Sequence, residues 1–256
     1  MKDMSEILYE TKEAITVITI NRPAQRNALN HAVREGLRTA WKKFEADASA
    51  RVAILTAAGD KSFCAGMDLK EAAQSSLGIP PRDFIPILGD SAIVSKPVIA
   101  AVNGYALAGG FLLAQMCDMC VASATATFAI TEVKVGRGMP WAVPLAYMIP
   151  QKVMLELLLT GQPITAQRAY EIGLVNHVTA PDQLMPKALE LARHVVAGAP
   201  LTIRAARAIV REATECGRSA ALDRAYEIFA RVYSSEDAIE GPRAFAEKRA
   251  PRWKGR

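Results

Sequence analysis

From Pro97 to Val102 the chain runs PVIAAV, an unbroken apolar stretch rich in β-branched residues. It breaks at Asn103-Gly104 and Gly109-Gly110, then continues to Asp118 through an uncharged segment of Leu, Ala and Met. That order predicts a buried strand, a glycine-rich turn and a buried helix. The glycines let a small ligand reach the backbone, and the helix start offers free N–H groups that favour negative charge. The run from Lys96 to Asp118 approaches the length of a bilayer span, but Pro97, Asn103, Gln115 and three glycines argue against one.

The same reading extends in both directions. ILYE and AITVITI between Ile7 and Ile20 alternate as two short strands, a hairpin. An irregular loop, Asn21 to Asn30, then leads to Asn30 as the N-cap of a helix that puts Val33, Leu37, Ala40, Trp41 and Phe44 on one face. Val52 to Thr56 is a buried strand, followed by a second glycine turn, KSFCAGMDLK, which repeats the logic of the first. Glu71 to Ser91, with Ser75-Ser76, Gly78 and Pro80-Pro81, reads as irregular or weakly helical and borders a ligand cleft. Met119 to Ala122 and Ala126 to Ile130 are short strands, and Arg137 to Pro150 is a turn-rich wall. Val153 to Thr160 is a helix ending at Gly161, Thr165 caps the next, and Leu174 to Val178 forms a last strand. Beyond Asp182 only helices are expected, to about 197, then about 201–216, 219–233 and 235–248. Strand–helix alternation with a helical tail indicates an α/β class. We divide it into a core domain, 1–197, and a helical domain, 198–256.

Length and composition narrow the function classes. A chain of 256 residues, half of them hydrophobic, can bury a substantial core. MKDMSEILYE shows no apolar signal region, and Cys64, Cys117, Cys120 and Cys216 lack disulfide or zinc spacing, so a cytoplasmic protein with reduced thiols and no metal is expected. The net charge of +5 suits an anionic ligand such as a polyphosphate without demanding one. Arg204, Arg207, Arg211 and Arg218 share roughly one helix face, as a phosphate-binding comb would. The interleaved aromatic residues of a single-strand binder are missing, which favours a solvated face or subunit contact over nucleic acid.

No P-loop, hydrolase elbow or dinucleotide fingerprint is present. What remains is a pair of glycine turns able to aim backbone N–H groups at an oxyanion. Near them stands Glu132, a carboxylate among apolar neighbours and a candidate base for making an enolate. By itself Glu132 would more readily be read as a surface or structural carboxylate.

NRPAQRNALN, FCAGMDLKE, KPVIAAVNGYALAGGFLLAQMCD, FAITEVKVG, TGQPITAQRAYEIGLVNHV and EGPRAFAEKRAPRWKG change that balance. Together, over nearly the whole chain and in order, they resemble the enoyl-CoA hydratase/isomerase, or crotonase, superfamily. The resemblance implies a crotonase-like spiral of ββα units with a C-terminal α-helical trimerisation region, and a homotrimer or dimer of trimers. It implies an oxyanion hole from the backbone N–H groups of Met67 and Gly109. Coenzyme A, as part of the acyl-CoA substrate with no separate cofactor, would lie near Arg26, Ala28, Leu29, Lys61, Ala65, Asp68 and Lys70, with Phe245 and Lys248 reaching in from a neighbouring subunit. Two departures bear on the reaction. Hydratases of this superfamily use two glutamates; the second is Glu132, but the first position is Leu112, which cannot hold or deprotonate water. Pro140 stands where a backbone N–H commonly holds that water, and it has none. A single glutamate resembles the 3,2-enoyl-CoA isomerases, with a hydratase or hydratase-lyase using Glu132 alone as the alternative and an RNA-binding relative as a remote one. Trp141 and Tyr105 are candidate walls of the acyl pocket.

Overall fold

The computed structural model describes residues 5–74 and 78–256, so Ser75-Ser76 of the expected cleft border lies outside the described residues. The hairpin is present: β1 (Ile7–Lys12) pairs antiparallel with β2 (Ile15–Ile20). It opens a six-stranded sheet that continues in parallel through β3 (Val52–Ala57), β5 (Val98–Val102), β7 (Met119–Ser123) and β10 (His177–Thr179).

The unbroken apolar runs in β3 and β5 follow from burial on both faces. Alternate residues of this sheet, Val52, Ile54, Ile99, Ala101 and Val121, pack on helix α6 (Leu184–Ala197). Their neighbours Ala53, Leu55, Val98 and Ala100 face the main core, where α1 (His31–Ala46) buries Val33, Leu37, Trp41 and Phe44. Each such large side chain contributes about 1.5–3 kcal/mol when fully buried. Asn30 caps α1 as expected, its side chain accepting from Val33 N at 2.9 Å. Lys96 is buried here too, and its ammonium donates to the carbonyls of Phe44 at 2.7 Å and Asp47 at 2.6 Å. Those bonds offset the cost of desolvating its charge.

A second, four-stranded sheet runs in the order β4 (Ser62–Cys64), β6 (Tyr105–Leu107), β8 (Thr127–Ala129) and β9 (Ile164–Thr165). The first three are parallel and β9 is antiparallel. The chain passes from β3 to β4, from β5 to β6 and from β7 to β8, crossing from one sheet to the other each time. Helix α2 (Leu69–Gln74) follows the first crossing and α3 (Gly109–Gln115) the second, so the ββα spiral is explicit in the strand order. The central stretch therefore contains one element more than its pattern predicts. Asn103-Gly104 does not lead straight to the helix but turns the chain into β6. A side chain at Gly104 would overlap the Lys61 carbonyl, so this crossing requires a glycine.

Two 3-10 segments, Glu132–Val135 and Pro140–Tyr147, form the turn-rich wall, and α4 (Gln151–Thr160) and α5 (Ala166–Glu171) complete the middle of the chain. The last strand is shorter and later than expected, His177–Thr179 rather than 174–178. The tail is helical: α7 (Pro200–Glu215), α8 (Arg218–Tyr233) and α9 (Glu236–Ala246). It is fastened to the sheets. Arg207 of α7 donates to Asp118 at 2.6 Å and to the Val94 carbonyl at 2.7 Å, and Trp253 donates to the Ala197 carbonyl at 2.7 Å. Among the described residues no helix is long and apolar enough to cross a membrane.

The close approach of α3 to β4 gives a test of this packing. A Cβ at Gly110 would overlap the Cys64 carbonyl, whereas one at Gly138 would meet only Pro140 at an ordinary 3.8 Å. Gly110→Ala is expected to lose at least about 1–3 kcal/mol in urea unfolding, the range for overpacking. Gly138→Ala is expected to remain within about 0.5 kcal/mol of the parent. Equal midpoints for the two would contradict the packing.

Candidate active site

β4, β6 and β8 lie side by side and point the same way, and the segments that leave their C-terminal ends carry Met67, Gly109 and Glu132 respectively. Neighbouring strands are spaced at about 4.8 Å. Three residues 65 positions apart in sequence, from 67 to 132, are thus delivered to one edge.

The first segment is held by the Asn21–Asn30 loop. Leu29 N donates to the Gly66 carbonyl at 2.8 Å, and Asp68 N donates to the Leu29 carbonyl at 3.3 Å. In this parallel bridge the groups of Gly66 and Asp68 face Leu29, so the Met67 N–H points to the other side. Arg22 locks the arrangement. Its guanidinium donates to the Ala28 carbonyl at 2.7 Å and to Asp68 at 3.2 Å, and pairs with Glu6 at 3.0 Å.

The second segment meets the first through Gly66, whose φ is +89°. A Cβ there would sit 2.9 Å from Ala108 Cβ and 3.0 Å from the Leu107 carbonyl, so glycine alone lets the two turns close. Ala108 has φ 51° and ψ −117°, a backbone conformation that L side chains rarely adopt. Its N–H donates to the Ala129 carbonyl at 2.9 Å, which ties the turn to β8. Gly109 is the first residue of α3, so its N–H has no acceptor within the helix. Two amides so placed can share one oxyanion.

Glu132 begins the 3-10 segment after β8 and is buried. The amides of Gly136 and Arg137 donate to its backbone carbonyl. One carboxylate oxygen, Oε2, is buried with no hydrogen-bond partner. Burial raises its pKa above the usual carboxylate value, with its own backbone amide, the Trp141 side chain and the Thr131 amide pulling more weakly the other way. Met67, Gly109, Leu112, Glu132, Pro140 and Trp141 all line one cleft of about 1980 Å³. Leu112 is buried one turn into α3, so the helix presents alkane rather than carboxylate. Trp141 packs against Phe111 with ring centroids 6.1 Å apart.

A family model described as enoyl-CoA hydratase/isomerase matches residues 10–256. The chain is 38% identical to the carnitinyl-CoA dehydratase of Proteus mirabilis, over 99% of this chain and 100% of that protein. It is 41% identical to the enoyl-CoA hydratase EchA19 of Mycobacterium tuberculosis, over 98% and 97% of the two chains. The crystal structure of an enoyl-CoA hydratase from M. tuberculosis H37Rv superposes with a TM-score of 0.91 at 40% identity, covering 98% of this chain and 100% of that one.

The chain belongs to the enoyl-CoA hydratase/isomerase family. It is an enzyme of that family with an acyl-CoA substrate. The residues that the family resemblance assigns to coenzyme A divide into two groups. Arg26, Ala28, Ala65, Asp68 and Lys70 line the cleft together. Leu29 and Lys61 do not: Leu29 is fully buried and supports the Met67 turn, and Lys61 is exposed at the start of β4, where its carbonyl accepts from Tyr105 N. Tyr105 is corrected as an acyl-pocket residue. It stands at the first position of β6, 48% exposed and outside the cleft lining, because the site lies at the other end of that strand. Phe245 is 87% exposed on α9, and neither it nor Lys248 lines this chain's own cleft. Of the comb of arginines, Arg204, Arg207 and Arg211 line the cleft, with Arg204 and Arg211 exposed, and Arg218 lies at the start of α8 outside that lining. Their helical spacing was visible in the sequence; the ion pair that fastens α7, Arg207 with Asp118, spans 89 positions and left no local signal.

The raised pKa of Glu132 has a consequence for stability. Folding holds its proton more tightly, so the neutral carboxyl stabilises the fold fully below the usual carboxylate value. That contribution is lost as pH rises through the raised value. Glu132→Gln imitates the neutral form. Its melting temperature is expected to gain on the parent's between about pH 4 and pH 8. A difference independent of pH across that window would contradict the burial of an ionisable group here.

Proposed function

We propose that the enzyme catalyses 3,2-enoyl-CoA isomerisation by single-glutamate proton transfer. The observation that carries this reading is Glu132, buried with a free carboxylate oxygen on a cleft whose facing helix presents Leu112. The thioester oxygen accepts from Met67 N–H and Gly109 N–H. Glu132 takes the C2 proton of a 3-enoyl thioester, and the electron pair moves to the oxygen as a dienolate. The same carboxyl then returns the proton at C4, leaving the double bond between C2 and C3. Atoms and electrons balance with no water and no cofactor beyond the coenzyme A of the substrate. A dry wall at Leu112 raises the cost of separated charge in solvent-free surroundings, which strengthens the two amide bonds to the oxyanion. The other acids lining the cleft do not compete for the role. Asp68, Asp90 and Asp118 are ion-paired with Arg22, Arg82 and Arg207, and Glu215 is exposed at the end of α7.

On this reading Arg26, Lys70 and their neighbours receive the coenzyme A portion. Phe245 and Lys248 serve a neighbouring copy in a homotrimer or dimer of trimers.

A second reading is hydration or dehydration with Glu132 alone, favoured by the names of the relatives, carnitinyl-CoA dehydratase and enoyl-CoA hydratase. Offering 3-enoyl-CoA and 2-enoyl-CoA separately, and following the isomer and 3-hydroxyacyl-CoA by mass spectrometry, decides between them. Isomer formation from 3-enoyl-CoA is expected, falling by about a hundredfold or more in Glu132→Gln. Hydration without isomerisation selects the second reading. Leu112→Glu, which restores a second carboxylate, is expected to raise the share of 3-hydroxyacyl-CoA.

A further inference from the structure

We propose that the acyl end of the cleft accommodates a bulky apolar acyl group, a long alkyl chain or a ring system, in preference to a four-carbon one. The proposal rests on the acyl-CoA reading above and deepens it. The observation that carries it is the apolar lining of the cleft apart from the residues that receive coenzyme A. That lining is drawn from three separate parts of the chain, one of which reaches Gly109 through Ile85 and another of which carries Trp141. Phe84 and Ile93 stand on one, Val143 and Tyr147 on the second, and Val210 of α7 on the third. Ile93, Val143, Tyr147 and Val210 are between 64% and 85% exposed. Single exposed apolar side chains are ordinary on a soluble protein, but several gathered on one concave surface continuous with reactive groups mark a place where an apolar ligand lies.

Charge supports the same class. Asp90 and Asp118 are paired with Arg82 and Arg207, while Arg204 and Arg211 line the cleft from α7. No excess of negative charge is present to hold a cationic acyl group.

Saturated thioesters, which cannot react, separate pocket from chemistry. Titration calorimetry of the full chain with butyryl-CoA, decanoyl-CoA and decalin-carbonyl-CoA, each below its micelle concentration, reads the pocket directly. Each methylene buried is worth roughly fourfold in affinity, so with partial burial decanoyl-CoA is expected to bind about thirtyfold tighter than butyryl-CoA or better. A gain with decanoyl-CoA alone identifies a chain, and a gain with the ring ester alone identifies a ring system. Either supports the proposal. Because Ile93 and Val143 are exposed, Ile93→Glu and Val143→Glu keep the fold, checked by circular dichroism, and are expected to remove most of the advantage. Equal binding of all three esters overturns the bulky-group proposal and leaves the acyl-CoA reading standing. No binding of any of them overturns both.

Discussion

The site depends on three parallel strands of three residues each. β4, β6 and β8 carry no long-range hydrophobic pattern, yet their shared direction brings the ends of three ββ crossings to one edge. The constraint that permits this is backbone proximity. Gly66 rests against Ala108, Gly110 against Cys64 and Gly104 against Lys61, each at a distance that a side chain would prevent. The large sheet and its two hydrophobic cores hold these contacts in place, and Ala108 keeps a conformation it would not adopt in isolation. Strain of this kind persists only where the surroundings over-determine the backbone, and here the amide that follows it is Gly109.

The chemistry then follows from what is dry. The Asn21–Asn30 loop, pinned by Arg22, orients the Met67 turn, and α3 begins with the amide of Gly109. Opposite them, burial leaves the Glu132 carboxyl more basic than an exposed one. A carboxylate used as a base gains from that shift, since proton transfer works best when the pKa approaches the working pH. Leu112 stands where the family resemblance implies a second carboxylate, and on the proposed reading that single side chain narrows a fold able to serve several reactions.

Much of this architecture was legible in the sequence. The apolar runs of β3 and β5 announce strands covered on both faces, Asn30 announces the start of α1, and its 3.6-residue stripe names Trp41 and Phe44 as core. β6 was not legible, because three residues are too few to show a period of two and its pairing partners lie more than 20 positions away on either side. That is also why Tyr105 was placed at the wrong end of the site. Within the site, the glycine turns could be read from their pattern, whereas Glu132 stood out through family resemblance rather than through its local surroundings. The apolar walls of the cleft come from three separated segments, each unremarkable alone. The ion pair between Arg207 and Asp118, together with the Arg207 bond to Val94, brings α7 to the cleft as one of them.

The central claim is that one carboxylate carries one proton from C2 to C4 without water. Its most direct measurement is a single-turnover reaction of 3-enoyl-CoA deuterated at C2, in water enriched with oxygen-18, with the product analysed by mass spectrometry. The account predicts 2-enoyl-CoA that carries part of the deuterium at C4 and no oxygen-18. A product that is 3-hydroxyacyl-CoA labelled with oxygen-18, with no deuterium at C4, would contradict it.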